Sequence, residues 1–132
     1  MSDIILPDGW PRPSGYAQGV VSSGAGRILT VSGQIGWNES NQLVGPGFLE
    51  QALQALRNIV AIVRAAGGGP EHLMRLTWYV ADCDEYRAAL QALGAGYREI
   101  VGSVYPAMTL VQVAALLEEG ARVEIEATAV LP

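Results

Sequence analysis

Between Phe48 and Val80 the spacing of apolar residues changes once, and that change restricts the chain to folds that combine helix with sheet. Leu49, Leu53, Leu56, Val60 and Val63 recur at helical intervals, the stripe of an amphipathic helix. Gly67-Gly-Gly-Pro70 follows, supplying glycine to close the last turn and proline to prevent another. From Leu73 the period becomes that of a strand. Met74, Leu76, Trp78 and Val80 face one way, and Leu73, Arg75, Thr77 and Tyr79 the other. The first set suits packing under helices. The second set needs cover from elsewhere.

The remaining segments repeat these two patterns. Residues 16–21 form a short apolar run ended by Ser22-Ser-Gly-Ala-Gly, which predicts a strand and a turn. Residues 27–35 predict a second strand, with Ile28, Thr30 and Ser32 opposite Leu29, Val31 and Gly33. Residues 38–47 are polar and carry Gly and Pro, so they read as a loop. Asp82 or Asp84 caps a second helix, whose buried stripe is Tyr86, Leu90, Leu93, Tyr97 and Ile100. Gly94 and Gly96 predict a bend or frayed turn within it. Residues 107–113 and 122–130 predict two further strands, joined by a loop containing Glu118-Glu-Gly. The expected architecture is an α+β sheet with two helices on one face. No repeat, low-complexity tract or linker divides residues 1–132, so one domain is expected.

Composition narrows the function. Half of the 132 residues are hydrophobic and 16% are charged, a surplus of apolar side chains that a subunit interface absorbs. No run approaches the roughly 18 apolar residues that span a bilayer. Residues 1–15 carry Asp3, Asp8 and three prolines rather than a basic start and an apolar core, so no signal peptide is expected. Cys83 is the single cysteine, which excludes an intrachain disulfide and fits a reducing cytoplasm. The net charge of −5 and the pI near 4.7 disfavour a phosphate backbone as partner. All eight basic residues are arginines. Without lysine the chain has no Schiff-base amine and no P-loop lysine. His72 is the one histidine, so clustered-histidine metal sites and Ser-His-Asp catalysis lack material. Neither a metal nor an organic cofactor is expected.

Four segments carry a resemblance: Tyr16-Ala-Gln-Gly-Val, Val31-Ser-Gly-Gln-Ile, Tyr105-Pro-Ala-Met-Thr-Leu-Val-Gln-Val, and Val123-Glu-Ile-Glu-Ala-Thr-Ala-Val. In this order, from about Gly15 to Val130, the chain resembles the RidA/YjgF family of small enamine/imine deaminases, also labelled endoribonuclease L-PSP. The resemblance implies a chorismate mutase-like fold, a homotrimer, and ligand clefts at the subunit interfaces. It implies a cleft lined by Tyr16, by Ser32 with Gly33, by Met108, Thr109 and Leu110, and by Glu124. Deaminase members carry arginine where this chain has Met108, and many carry cysteine where it has Leu110. Arginine there holds a substrate carboxylate by two charge-assisted hydrogen bonds. Each such bond contributes about 1.5–3 kcal/mol. Either the substrate lacks a carboxylate at that point, or Arg12 or Arg75 supplies the charge.

Glu124 is the leading catalytic candidate. Hydrolysing an imine or enamine needs a proton delivered and a water aimed at the iminium carbon, and one carboxyl can serve both steps. Alternation places Glu124, Glu126 and Thr128 on the face opposite Val123, Ile125 and Ala127. The structural alternative is a pair of solvated charges on an edge strand. Tyr16 is the second catalytic candidate, orienting water or substrate through its hydroxyl; otherwise it packs on a neighbouring subunit. Ser32 and Gly33 offer a hydroxyl and an N–H to an anion. Trp37 and Tyr105 flank these motifs and suit a flat or apolar ligand, or else ordinary interface packing. His72 and Cys83 have no partners in sequence that mark them as catalysts.

Three functions follow. The first is a cofactor-free hydrolase of an enamine or imine that does not derive from a simple 2-amino acid. The second is a non-catalytic, small-ligand-binding or regulatory trimer with the same fold. The third is an endoribonuclease, disfavoured by the acidic charge and the absence of lysine.

Overall fold

A computed structural model describes residues 2–23 and 26–132. Part of the turn expected after Ser22, at Gly24 and Ala25, lies outside the described residues. Strand β1 (Ser2–Ile5) pairs antiparallel with β2 (Gly19–Ser22) in a small two-stranded sheet. The main sheet holds β3 (Arg27–Gln34), β4 (Leu73–Val80), β5 (Ala107–Gln112) and β6 (Val123–Leu131) in the order β3-β6-β4-β5. Only β4 and β5 run parallel. A parallel neighbour needs a crossover, and α2 (Cys83–Ala88) with α3 (Leu90–Ile100) provides it. The long helix α1 (Phe48–Ala65) joins β3 to β4.

The core lies between the helices and one face of the sheet. Val123, Ile125, Ala127, Ala129 and Leu131 of β6 are buried, while Glu124, Glu126, Thr128 and Val130 alternate onto the other face. Leu56, Val60 and Val63 of the expected α1 stripe are buried, as are Ala52, Ala55 and Ile59 beside them. Leu49 and Leu53 lie at the margin, with Leu53 against Gly96 of α3. The helix ends as its glycines dictate. Gly67 takes a positive φ of 94°, and Gly68 N–H donates to the Val63 carbonyl at 3.0 Å.

Three expectations are corrected. Among the described residues there are three α-helices rather than two, because the second expected helix breaks at Ala89, not at Gly94 or Gly96. The break lets Tyr86 meet Phe48 and Trp78 edge-on, at ring-centroid distances of 6.2 and 6.4 Å. Gly96 instead makes room for Leu53, since a Cβ there would lie 2.4 Å from a Leu53 methyl carbon. Second, Leu73 is only 2% exposed and belongs to the core. Pairing with β6 shifts register between Leu73 and Arg75, so a bulge at Met74 breaks the alternation. Third, the first expected strand begins at Gly19 rather than Tyr16, and Ala17 instead forms an isolated bridge to Ala107. Asp82 caps α2 through its side chain, which accepts from Asp84 N–H at 2.8 Å. Strand β1 had no counterpart in the sequence reading.

Candidate functional site

The expected site residues fall into two groups on opposite faces of the main sheet. In the parallel β4–β5 pair, Met108 stands beside Leu76 and Leu110 beside Trp78. Met108 and Leu110 therefore point to the helix side, at the sheet margin, where β5 has no further strand of the sheet beyond it. A cavity of about 710 Å³ opens there. Its floor is Met108, Leu110 and Trp78; one wall is Tyr86 of α2 with Leu90, Leu93, Tyr97 and Arg98 of α3; residues 13–16 and Tyr105 form the rim. Tyr16 reaches it because Ala17 N–H donates to the Pro106 carbonyl at 3.1 Å, which seats the segment at the start of β5. Tyr105 stacks on Tyr97 at 5.3 Å and 13°. The Tyr97 hydroxyl donates to the Val104 carbonyl, and burial raises its pKa well above the ordinary phenol value.

The second group lies on the open face. Glu124 is half-buried there, on β6, which is an interior strand between β3 and β4 rather than the expected edge strand of the structural alternative. The β3–β6 register shifts between Val31 and Gln34. A Cβ on Gly33 would fall 2.0 Å from Glu124 Oε2, so glycine leaves the space that the carboxylate occupies. Ser32 is exposed beside it. Tyr79 pairs across from Glu124, and its hydroxyl donates to Glu126 Oε1. That hydrogen bond raises the Tyr79 pKa, reinforced by desolvation and by the charges of Glu126 and Glu124. Thr109 also belongs to this face, where Arg75 Nη1 donates to its Oγ1 at 3.5 Å.

Within one chain, then, Tyr16, Tyr105, Met108 and Leu110 are brought together, and Ser32, Gly33 and Glu124 are brought together elsewhere. Trp37 joins neither group. It is bridged to Leu43, and its carbonyl accepts from Asn58 Nδ2 at 2.9 Å, so it belongs to the loop after β3. Neither proposed substitute for the missing arginine lines the cavity: Arg75 is on the open face, and Arg12 is outside the lining. The cation that does line it is Arg98. Sequence reading missed Arg98 and treated Tyr86, Leu90 and Tyr97 as core, because a helix stripe has one signature whether it meets a core or a cavity. His72 is structural: its Nδ1 accepts from Gly69 N–H at 3.0 Å in the turn before β4. Among the described residues no cluster of His, Cys, Asp or Glu has the make-up of a metal site, and no helix is long and apolar enough to cross a membrane.

Known proteins match across nearly the whole chain. The profile of the family described as Endoribonuclease L-PSP matches residues 11–131. The human 2-iminobutanoate/2-iminopropanoate deaminase is 37% identical over 116 residues, covering 87% of this chain and 79% of the human protein. The structure of a Rid family protein of unknown function from Yersinia pestis superposes with a TM-score of 0.83 at 33% identity, covering 98% of each chain. Escherichia coli TdcF, solved with bound serine, superposes at a TM-score of 0.70 and 30% identity, covering 98% of this chain and 99% of TdcF. Motif order, strand order and these relatives agree: the chain belongs to the RidA/YjgF, or endoribonuclease L-PSP, family.

Proposed function

We propose that the protein is a hydrolytic deaminase of an enamine or imine, working as a homotrimer whose interfaces unite the two groups of site residues. The observation that carries the reading is the placement of Glu124. A carboxylate is held on the open sheet face against a glycine, with no arginine or histidine paired to it among the described residues. Such a group, once protonated, is free to pass its proton to the substrate and then, as carboxylate, to take one from the attacking water. The deaminase relatives support the reaction class. The open face supports the assembly: Ile28 is 74% exposed on its β3 edge, and Thr30, Thr77, Thr109 and Val111 face the same way across the sheet, a surface that a second copy would cover.

In this arrangement one chain supplies Tyr16, Tyr105, Met108 and Leu110, and its neighbour supplies Ser32, Gly33 and Glu124. The apolar floor at Met108 and Leu110 favours a ring-derived or otherwise apolar substrate over the imine of a simple 2-amino acid. The test is Glu124→Gln, which preserves shape and removes the titrating proton. Imine decay should fall by a factor of about a hundred or more, as expected for loss of a general acid–base group, while substrate binding stays within a few fold. Unchanged kcat would remove Glu124 from the mechanism. Saturable binding without consumption by the unmodified protein would instead identify a non-catalytic ligand-binding trimer.

A further inference from the structure

Two polar groups of the cavity take no part in the proposed proton transfers. Trp78 is 4% exposed and forms part of the floor, yet its Nε1–H has no acceptor among the described residues. Buried donors are nearly always paired, and tryptophan is placed in cores where its N–H can reach a partner. Arg98, in the last turn of α3, lines the same cavity. Like Arg12, Arg57 and Arg64 it takes part in none of the ion pairs or side-chain hydrogen bonds among the described residues, and of these four it is the one that lines the cavity. The cavity thus has, in its floor residue Trp78, an unpaired N–H that is itself covered, an uncommitted guanidinium at its wall, and apolar or aromatic surface between.

From this arrangement we infer that the cavity binds a planar, ring-bearing carboxylate. The ring lies against Met108, Leu110 and the stacked Tyr97–Tyr105 pair. A ring carbonyl accepts from Trp78 Nε1–H once binding shifts the side chains that now cover it, and the carboxylate pairs with Arg98. Arg98 thereby supplies the charge that position 108 lacks, from a helix rather than from β5, and this reverses the demand on the substrate: apolar at the strand, anionic at the helix. The inference rests on the reading of this cavity as the substrate site and names the substrate's class. Trp78 and the stacked Tyr97–Tyr105 pair present the aromatic surface that a ring packs against.

The experiment compares three probes by calorimetry on the full-length protein: coumarin-6-carboxylate, neutral coumarin, and 2-naphthoate, which keeps the carboxylate and lacks the ring carbonyl. Coumarin-6-carboxylate should bind about tenfold more tightly than either, the lower end of what one charged or one buried hydrogen bond contributes. Arg98→Gln, at an exposed helix position, should abolish the advantage over coumarin and leave coumarin itself unchanged. One of the three indole N–H resonances should move on saturation with either coumarin and stay in place with 2-naphthoate. Trp78→Phe assigns that resonance; if the variant does not fold, Trp10→Phe and Trp37→Phe assign it by elimination. Equal affinity for the three probes, or an Arg98→Gln variant that binds coumarin-6-carboxylate normally, overturns the inference. A stationary Trp78 resonance does the same and assigns the N–H to the Tyr86 ring. Selective probe binding with no imine hydrolysis would sink the deaminase reading and leave this one standing. Hydrolysis with kcat and KM untouched by Arg98→Gln would do the reverse.

Discussion

Gln51 is a polar residue in the first turn of α1 with no exposed surface, and all of its side-chain polar atoms are engaged. Its Nε2 donates to the carbonyls of Gly45 at 2.8 Å and Gly120 at 3.0 Å, and its Oε1 accepts from Arg122 N–H at 2.7 Å. One side chain thus joins the loop before α1 to the turn that feeds β6. Gln51→Leu keeps the volume and strands two carbonyls and an N–H, so it should destabilise the fold by about 2–4 kcal/mol, more than one hydrogen bond contributes. Urea unfolding measures this; a loss below about 0.5 kcal/mol would mean that water replaces the amide. The tyrosines make a second prediction at this scale. Tyr79 and Tyr97 both have raised pKa values in the fold, so an unfolded chain releases their protons first, near pH 10. Their contribution is complete below that pH and is lost as pH rises through the folded values. Alkaline titration by tyrosinate absorbance should therefore show two of the five tyrosines ionising late, and Tyr79→Phe should remove one of them. Five tyrosines titrating together would contradict the buried and hydrogen-bonded placements.

Among the elements, the contact between the end of β3 and α1 is the least forgiving. A Cβ on Gly36 would lie 2.4 Å from Gln51 Cα and 2.7 Å from its carbonyl oxygen, so the neighbour that must move is helix backbone. Gly36→Ala should cost about 3 kcal/mol, the upper end of overpacking penalties. Thermal unfolding is the readout, and an unchanged Tm would show that α1 shifts freely. Arg122 adds to the same junction by pairing with Glu85 of α2 at 2.8 Å, while its own backbone carbonyl accepts from Ala81 N–H at 3.0 Å. The bulge at Met74 acts on a different element. It turns Leu73 inward to the core, so the open face of β4 presents Arg75, Thr77 and Tyr79, a more polar surface than uninterrupted alternation predicts.

On the scale of the whole molecule, one sheet face is covered by helices and the other is not. Threonines and charged side chains occupy most of the open face, but Ile28 and Val111 stand exposed on its outer strands. The Glu124 group lies on this face and the cavity on the other side of β5, so a single chain cannot bring them to one substrate. The protein should therefore elute as a trimer in size exclusion with light scattering at micromolar concentration. Charge placed on the open face, as in Ile28→Glu, should shift the mass toward monomer and abolish turnover, while circular dichroism remains native. A fully active monomer would break the link between assembly and site.

Much of the architecture was determined by local pattern. Helical and strand periods located α1, β3, β4, β5 and β6 because each has one face in the core, and burial of one face is what periodicity records. A cap at Asp82 or Asp84 and the glycine end of α1 were legible because each depends on a residue's own local chemistry, and the structure chose Asp82. Motif order carried the family and named Tyr16, Met108 and Leu110. What sequence could not determine was which side of the sheet each motif faces and what stands beyond a stripe. Bulges at Met74 and between Val31 and Gln34 arise from pairing with β6, a strand distant in sequence, and they reset alternation without a local mark. Tyr86, Leu90 and Tyr97 read as core because helices facing a core and helices facing a cavity bury the same residue types. Arg98 and the Trp78 N–H gained significance only when α3 was laid beside β5, since a side chain's lack of a partner is a property of its surroundings in space.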